Sequence, residues 1–190
     1  MERFNGHWIQ VRSGGRFFPL DPRPEDIHIE DVAHALSNIC RFTGHTAEFM
    51  SVAQHSVLVS LHCWPEDALF GLLHDTAEAF LADLSRPVKL SLRDAGITIF
   101  DDMEARIMLS VCEKFGLPAV MPQSVKDADN LLLTTEARDL MSPLLEGWKY
   151  TTENGWPTLS ERIVPVGPVE AKAMFIRRFE ELSYRASIRS

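Results

Sequence analysis

Apolar residues recur at helical spacing along most of the chain after residue 28. In the first such stretch Ile29, Val32, Ala33, Leu36 and Ile39 lie one to four positions apart, on one face of a helix. The pattern therefore predicts an all-α fold, a mostly helical bundle. By the same criterion, further helices are expected over about residues 48–63, 65–75, 100–115, 122–140 and 168–184.

The first 28 residues follow a different pattern. Apolar residues flank Ser13-Gly14-Gly15, which predicts a short hairpin-like arm lying over the domain or pairing with another subunit. At 190 residues the chain fits one domain. We divide it into the arm (1–28), a helical core (29–142), and a covering loop with a C-terminal helix (143–190).

The composition and charge of the chain argue against some classes of function. The net charge of −8 argues against binding to polymeric nucleic acid or to an anionic membrane. No apolar run approaches the roughly 20 residues that span a bilayer. Cys40, Cys63 and Cys112 are odd in number and share no close spacing, so we expect buried thiols in a reducing compartment. A cytoplasmic location is the expectation.

The candidate chemistry centres on His74 and Asp75, which end the apolar run Ala68–Leu73. Buried ionisable groups need partners, and a divalent metal would be one. In a continuous helix Glu78 would share a face with His74. Two imidazoles and two carboxylates suit Mn, Fe, Co, Ni or Zn better than calcium. The four candidate metal ligands are His55, His74, Asp75 and Asp129.

Each of these residues also has an ordinary structural explanation. His55 fits a hydrogen-bonded core histidine, Asp129 a carboxylate interacting with a helix dipole, and Glu78 a solvated surface residue. The remaining histidines are expected to be structural or surface groups: His7, His28, His34, His45 and His62.

The set resembles a known family. His55, the doublet His74-Asp75, and Asp129 are similar to the H…HD…D signature of the HD-domain metal-dependent phosphohydrolases. The match covers roughly residues 30–140, with four motifs in the right order. It is similar to the small bacterial 5'-deoxynucleotidases and to the phage dATP-type triphosphohydrolases. The resemblance extends through four segments: His74–Glu78, Ala82-Asp83-Leu84, Pro87-Val88-Lys89 and Lys126–Asp129.

The resemblance implies an HD-domain helical bundle with one divalent transition metal per chain, namely Co, Mn, Zn, Ni or Fe. His55, His74, Asp75 and Asp129 would hold it. Asp75 would also belong to the catalytic group, in which Glu78 would act as general acid or base on the attacking water. Oligomerisation, as a homo-oligomer, is suggested by the family and by the arm.

The resemblance also implies substrate contacts. Arg41 would hold phosphate, as a guanidinium can by two parallel hydrogen bonds. Phe42 stands where the family has a tryptophan that excludes ribonucleotides, and Asp83 matches an acid near the sugar. Residues 83–89 predict a loop, and from their charge alone Arg86 and Lys89 either add positive charge near a longer phosphate tail or are solvated loop residues.

The leading hypothesis is hydrolysis of a small-molecule deoxynucleotide, from deoxynucleoside monophosphate to deoxynucleoside and phosphate. A triphosphohydrolase that releases tripolyphosphate is the alternative. A two-iron oxygen-activating member would need extra ligands, and His34 and His45 fall outside the expected motif. A non-enzymatic nucleotide-sensing domain is the remote alternative.

Overall fold

Helices make up most of the chain, as the apolar pattern predicts. The protein is represented by a computed structural model that describes residues 6–149 and 151–189, with side chains as far as residue 184. The expected all-α fold is confirmed. In chain order the helices are α1 (Ile29–Asn38), α2 (Val52–His62), α3 (Ala68–Leu73), α4 (Glu78–Leu81), α5 (Arg86–Asp94), α6 (Ile99–Phe115), α7 (Gln123–Leu140) and α8 (Pro168–Arg189).

Helix α2 lies at the centre of the bundle, in contact with α1, α3, α7 and α8. It is buried on nearly all sides, and residues 52–57 are all buried. A helix that is apolar around its whole circumference belongs inside a core. His55 occupies the middle of this helix and is therefore fully buried. Helix α8 also belongs to the core, since Phe175 is fully buried against the same cluster.

The start of α2 differs from the prediction. The helix begins at Val52 and not near residue 48, because the preceding residues pair in an extended conformation with residues 39–41. The Arg41 N–H donates to the Met50 carbonyl at 2.8 Å, and the Val52 N–H donates to the Ile39 carbonyl at 3.0 Å. The Ser51 side chain then caps the helix by accepting from the Gln54 N–H. This pairing brings Arg41 next to the N-terminus of α2.

The stretch around His74 is not one continuous helix. Helix α3 ends at Leu73, and the chain tightens into turns with bonds between residues three apart. The Thr76 N–H donates to the Leu73 carbonyl and the Glu78 N–H to the Asp75 carbonyl, both at 3.0 Å. The prediction that His74 and Glu78 share the face of one helix is wrong, since Glu78 opens the separate helix α4.

Two other boundaries were misassigned. Residues 86–89 belong to α5 and not to a loop, because Pro87 occupies the first helical turn, where proline is tolerated. Pro65 lies in a turn before α3 and not in the helix itself. By contrast, α6 ends as predicted at Gly116, which adopts φ of 64°, and α7 follows Pro122 directly.

The arm forms the predicted hairpin, with strands β1 (Ile9–Gln10) and β2 (Arg16–Phe17) paired antiparallel. Phe17 is fully buried and stacks on Phe80 of α4, with ring centroids 3.6 Å apart. Asp31 of α1 accepts hydrogen bonds from the Ser13 backbone N–H and hydroxyl. The arm therefore lies over the helices of its own chain. Within the described residues, no helix has the length and apolar character to cross a membrane.

We expect Phe17→Ala to lower the free energy of unfolding by about 3–5 kcal/mol, because it empties a fully buried ring site. Trp8→Ala, in the same hairpin but with 45% of its side chain exposed, should cost no more than about 1 kcal/mol. Urea unfolding followed by circular dichroism measures both variants. Equal losses would mean that the arm does not depend on Phe17 for its docking.

Candidate metal centre

Two histidine side chains converge in the core, one from α2 and one from the end of α3. The rings of His55 and His74 lie with centroids 5.3 Å apart. Each ring is held through Nδ1: His55 Nδ1 lies 2.6 Å from Glu136 Oε1, and His74 Nδ1 lies 2.8 Å from the Gly71 carbonyl oxygen. Because a carbonyl only accepts, His74 donates from Nδ1, and Nε2 is the nitrogen left to bind a metal. This is the tautomer that binds a metal through Nε2.

Two carboxylates face these Nε2 atoms. Asp129 Oδ1 lies 3.2 Å from His55 Nε2 and 4.0 Å from His74 Nε2. Asp75 Oδ2 lies 3.2 Å from His74 Nε2 and 3.6 Å from His55 Nε2. All four residues chosen from the sequence therefore come together, and His55, His74 and Asp129 form a group whose ligand atoms all lie within 4.8 Å of one another.

The contacts between these groups have the character of a ligand set. Both Nε2 atoms are buried, yet neither makes a well-aligned hydrogen bond within the described part of the chain, although carboxylate oxygens lie 3.2 Å away. Buried polar atoms almost always have partners, so this exception requires an explanation. Nitrogen lone pairs and carboxylate oxygens that point into one small space fit a divalent cation.

The electrostatics of the centre favour a cation. Burial lowers the pKa of His55, as does Arg41, but the carboxylates of Glu136 and Asp129 raise it to about 10. Burial likewise lowers the pKa of His74, and Asp75 raises it above its ordinary value. In both cases the attraction of the carboxylates exceeds the cost of burying positive charge. A metal ion would satisfy that same negative potential.

Glu136 is the residue of this cluster that sequence reasoning missed. Its fully buried carboxylate accepts from Arg41 Nε at 2.9 Å through Oε2, while Oε1 contacts His55. Burial raises the pKa of Glu136, but the charges of Arg41 and His55 hold it below its ordinary value. Glu136 lies seven residues after Asp129, two turns along the same face of α7. That spacing was the available signal.

Glu78 lies beside the candidate metal ligands, at the wall of a cavity. The cavity has a volume of about 330 Å³, and Glu78 lines it together with His74 and Asp75. Burial, followed by the charges of Asp75 and Asp83, raises the pKa of Glu78 well above its ordinary value. Its Oε2 atom is buried with no hydrogen-bond partner among the residues described. A carboxyl group in this condition is suited to accept and return a proton.

The expected substrate contacts are distributed around the same centre. Lys89 lines the cavity, but its Nζ donates to Glu104 at 2.6 Å. Asp83 is only partly buried, and burial together with the Asp75 charge raises its pKa, although Arg41 opposes the shift. Phe42 lies next to the site, with the Arg41 guanidinium carbon 5.6 Å from its ring centroid.

The fold and this centre define an all-α protein in which two buried histidines face two partly exposed aspartates. The chain belongs to the family of YfdR, an uncharacterized protein of Escherichia coli (strain K12). It is 41% identical to YfdR over 177 residues, which cover 93% of this chain and 96% of YfdR. It is also 38% identical over 140 residues to an uncharacterized protein of Rhodobacter capsulatus, covering 69% of each chain. No family model matches the chain.

We expect Glu136→Gln to weaken the affinity for Mn²⁺ or Zn²⁺ by about 10–100-fold, the usual effect of losing a carboxylate behind a histidine ligand. Competition with a fluorescent chelator measures the affinity. Asp127→Asn is the matched control, because Asp127 is exposed on the same helix. Unchanged affinity in Glu136→Gln would show that the Glu136–His55 contact does not support a metal.

Proposed function

We propose that the protein is a divalent-metal-dependent phosphohydrolase that removes the 5'-phosphate from deoxynucleoside monophosphates. The observation that carries the proposal is the convergence of two buried Nε2 atoms, His55 and His74, on the carboxylates of Asp75 and Asp129. The donor set suits Mn, Fe, Co, Ni or Zn. The HD-type motif of the sequence supports the same class.

Within this proposal Glu78 handles the proton. A divalent ion at the centre would supply Lewis acidity, polarising a phosphoryl oxygen and lowering the pKa of bound water to about 7. Glu78 takes the proton of the attacking water as the new P–O bond forms. It returns that proton to the 5'-oxygen as the ester bond breaks. Burial and the charges of Asp75 and Asp83 raise the pKa of Glu78 above its ordinary value, which makes its carboxylate a stronger base toward the attacking water.

Arg41 provides the phosphate contact in this scheme. The side chain is buried, and its Nε–H donates to Glu136, which fixes the plane of the guanidinium. The terminal amino groups are then the proposed donors to the phosphate, in the bidentate geometry that arginine favours. Because Glu136 also holds His55, the phosphate contact and the metal ligand keep a fixed relation to each other.

The charges of the cavity favour a monophosphate over a triphosphate. The two basic residues in its wall are already paired: Lys89 with Glu104, and Arg93 with Asp101. A triphosphate tail carries more negative charge and would need cations that are not committed to carboxylates. The single phosphate of a monoester requires only the metal and the terminal amino groups of Arg41, since the bond to Glu136 uses Nε. The triphosphohydrolase is therefore the less favoured alternative.

We expect phosphate release from dAMP by the Mn²⁺- or Co²⁺-loaded protein, and little release from AMP. The test is a panel of deoxynucleoside and ribonucleoside mono- and triphosphates, assayed for phosphate and for tripolyphosphate with Mn, Co and Zn. Tripolyphosphate from dATP would select the alternative. Equal turnover of AMP and dAMP would contradict the sugar preference. If the metal-loaded protein turned over none of these nucleotides, the proposed hydrolytic function would be contradicted.

Replacing Asp75 or Glu78 should separate metal binding from proton transfer. We expect Asp75→Ala to abolish both metal binding and turnover. Glu78→Gln should retain the metal, measured by mass spectrometry of the metal content, while kcat falls by about 10²–10⁴-fold. Glu113→Gln, an exposed acid on α6, is the control. Wild-type turnover in Glu78→Gln would assign the proton transfer to another residue.

A further inference from the structure

A second cavity lies near Phe42 and is lined in part by Trp148, whose ring centroid is 6.5 Å from that of Phe42. Its volume is about 550 Å³, within the range of small-ligand sites. We propose that this groove binds the nucleobase of the nucleotide, with Trp148 as its recognition residue; the assignment rests on the proposed function. The groove is lined by residues 44–47, residues 141–145 and Trp148.

Trp148 has an unsatisfied hydrogen-bond donor. Its Nε1 atom is buried and has no acceptor in the part of the chain that the structure describes. A buried indole N–H normally finds a partner. Because Nε1 is buried, what Trp148 offers a ligand in the groove is its ring, a flat π surface on which any nucleobase can stack.

Residues that lie between the groove and the metal centre follow the order of the parts of a nucleotide. Arg41 is joined to the metal ligand His55 through Glu136. The Phe42 ring lies next to Arg41, and the Trp148 ring lies next to Phe42, with the two centroids 6.5 Å apart. A nucleoside monophosphate has its phosphate, sugar and base in that order. The proposed contacts follow the same order, with the phosphate at Arg41, the sugar beside Phe42 and the base beside Trp148.

The two cavities also differ in charge, as the two ends of a nucleotide do. The cavity at the metal centre is lined by charged side chains that include Glu78, Lys89 and Glu104. No Asp, Glu, Lys or Arg is found among the described residues that line the groove. A phosphate needs cations, whereas a base is neutral at pH 7 and gains from apolar and aromatic contact.

The backbone holds the wall of the groove in place. Phe42 and Thr43 are consecutive non-glycine residues at φ of 53° and 55°, in the left-handed region that such residues seldom adopt. Strain of this kind persists where the surrounding structure enforces it, often at ligand sites. The Ala47 N–H donates to the Leu140 carbonyl at 2.7 Å, which joins the two sides of the groove. The backbone N–H of Trp148 donates to the Leu145 carbonyl.

Binding of 2'-deoxyadenosine, which has no phosphate, tests the groove independently of catalysis. Isothermal titration calorimetry on the full chain should show binding that Trp148→Ala weakens by about 10-fold, as expected for loss of one stacking platform. Trp148→Phe keeps a ring without the N–H and should fall between the two. Trp64→Ala is the matched control, because Trp64 is 66% exposed on another surface of the protein. Equal binding by wild type and Trp148→Ala would overturn the proposal.

Kinetics with and without a base give the second readout. Relative to wild type, Trp148→Ala should lower the ratio of kcat/KM for dAMP to kcat/KM for deoxyribose 5-phosphate by about 10-fold, mainly through KM. An unchanged ratio would overturn the base site while leaving the phosphohydrolase intact. Conversely, if neither ester is hydrolysed but deoxyadenosine binding depends on Trp148, the hydrolytic function fails and the base site stands.

A third variant covers the case in which Trp148→Ala does not fold, as judged by circular dichroism. Ala47→Phe places a ring in the groove from its exposed side without removing any buried group. It should weaken deoxyadenosine binding and lower the same kinetic ratio. Unchanged values in both measurements would overturn the proposal.

Discussion

The buried carboxylate of Glu136 joins the two halves of the site. It holds the ring of His55 through one oxygen and the guanidinium of Arg41 through the other. Each of these three groups would be costly to bury alone, and removing one member of such a set leaves the others uncompensated. The set therefore specifies one geometry, in which α2, α7 and the extended segment at residue 41 must meet.

The same constraint explains how a polar centre survives inside an apolar bundle. Helix α2 is surrounded by other helices, so its residue His55 has no contact with solvent. Glu136 satisfies its Nδ1 atom, and the space at Nε2 is shared with Asp75 and Asp129. Long helices fix the positions of His55 and Asp129, while the tight turn after α3 supplies His74 and Asp75.

Periodicity predicted the parts of this arrangement that depend on local chemistry. Helices α6 and α7 are long, and Gly116 and Pro122 mark their boundaries. His74 and Asp75 could be selected because they end an apolar run, whereas Asp129 lies in a polar segment and was supported by the family resemblance. Non-local effects were missed: strand-like pairing delays the start of α2, and a tight turn separates His74 from Glu78. Glu136 resembles any helical glutamate until its burial is known.

Trp148 was missed for a related reason, since the loop that carries it has no periodicity to interpret. In the proposed function this placement has a physical consequence. Chemistry depends on groups held by packed helices, where a small displacement would misalign the ligands. Base recognition depends on a connecting segment, and such segments tolerate substitution better than core helices do. Because Arg41 and Phe42 lie between the two regions, the base contact can diverge among relatives while Glu136 keeps His55 and the phosphate contact in register.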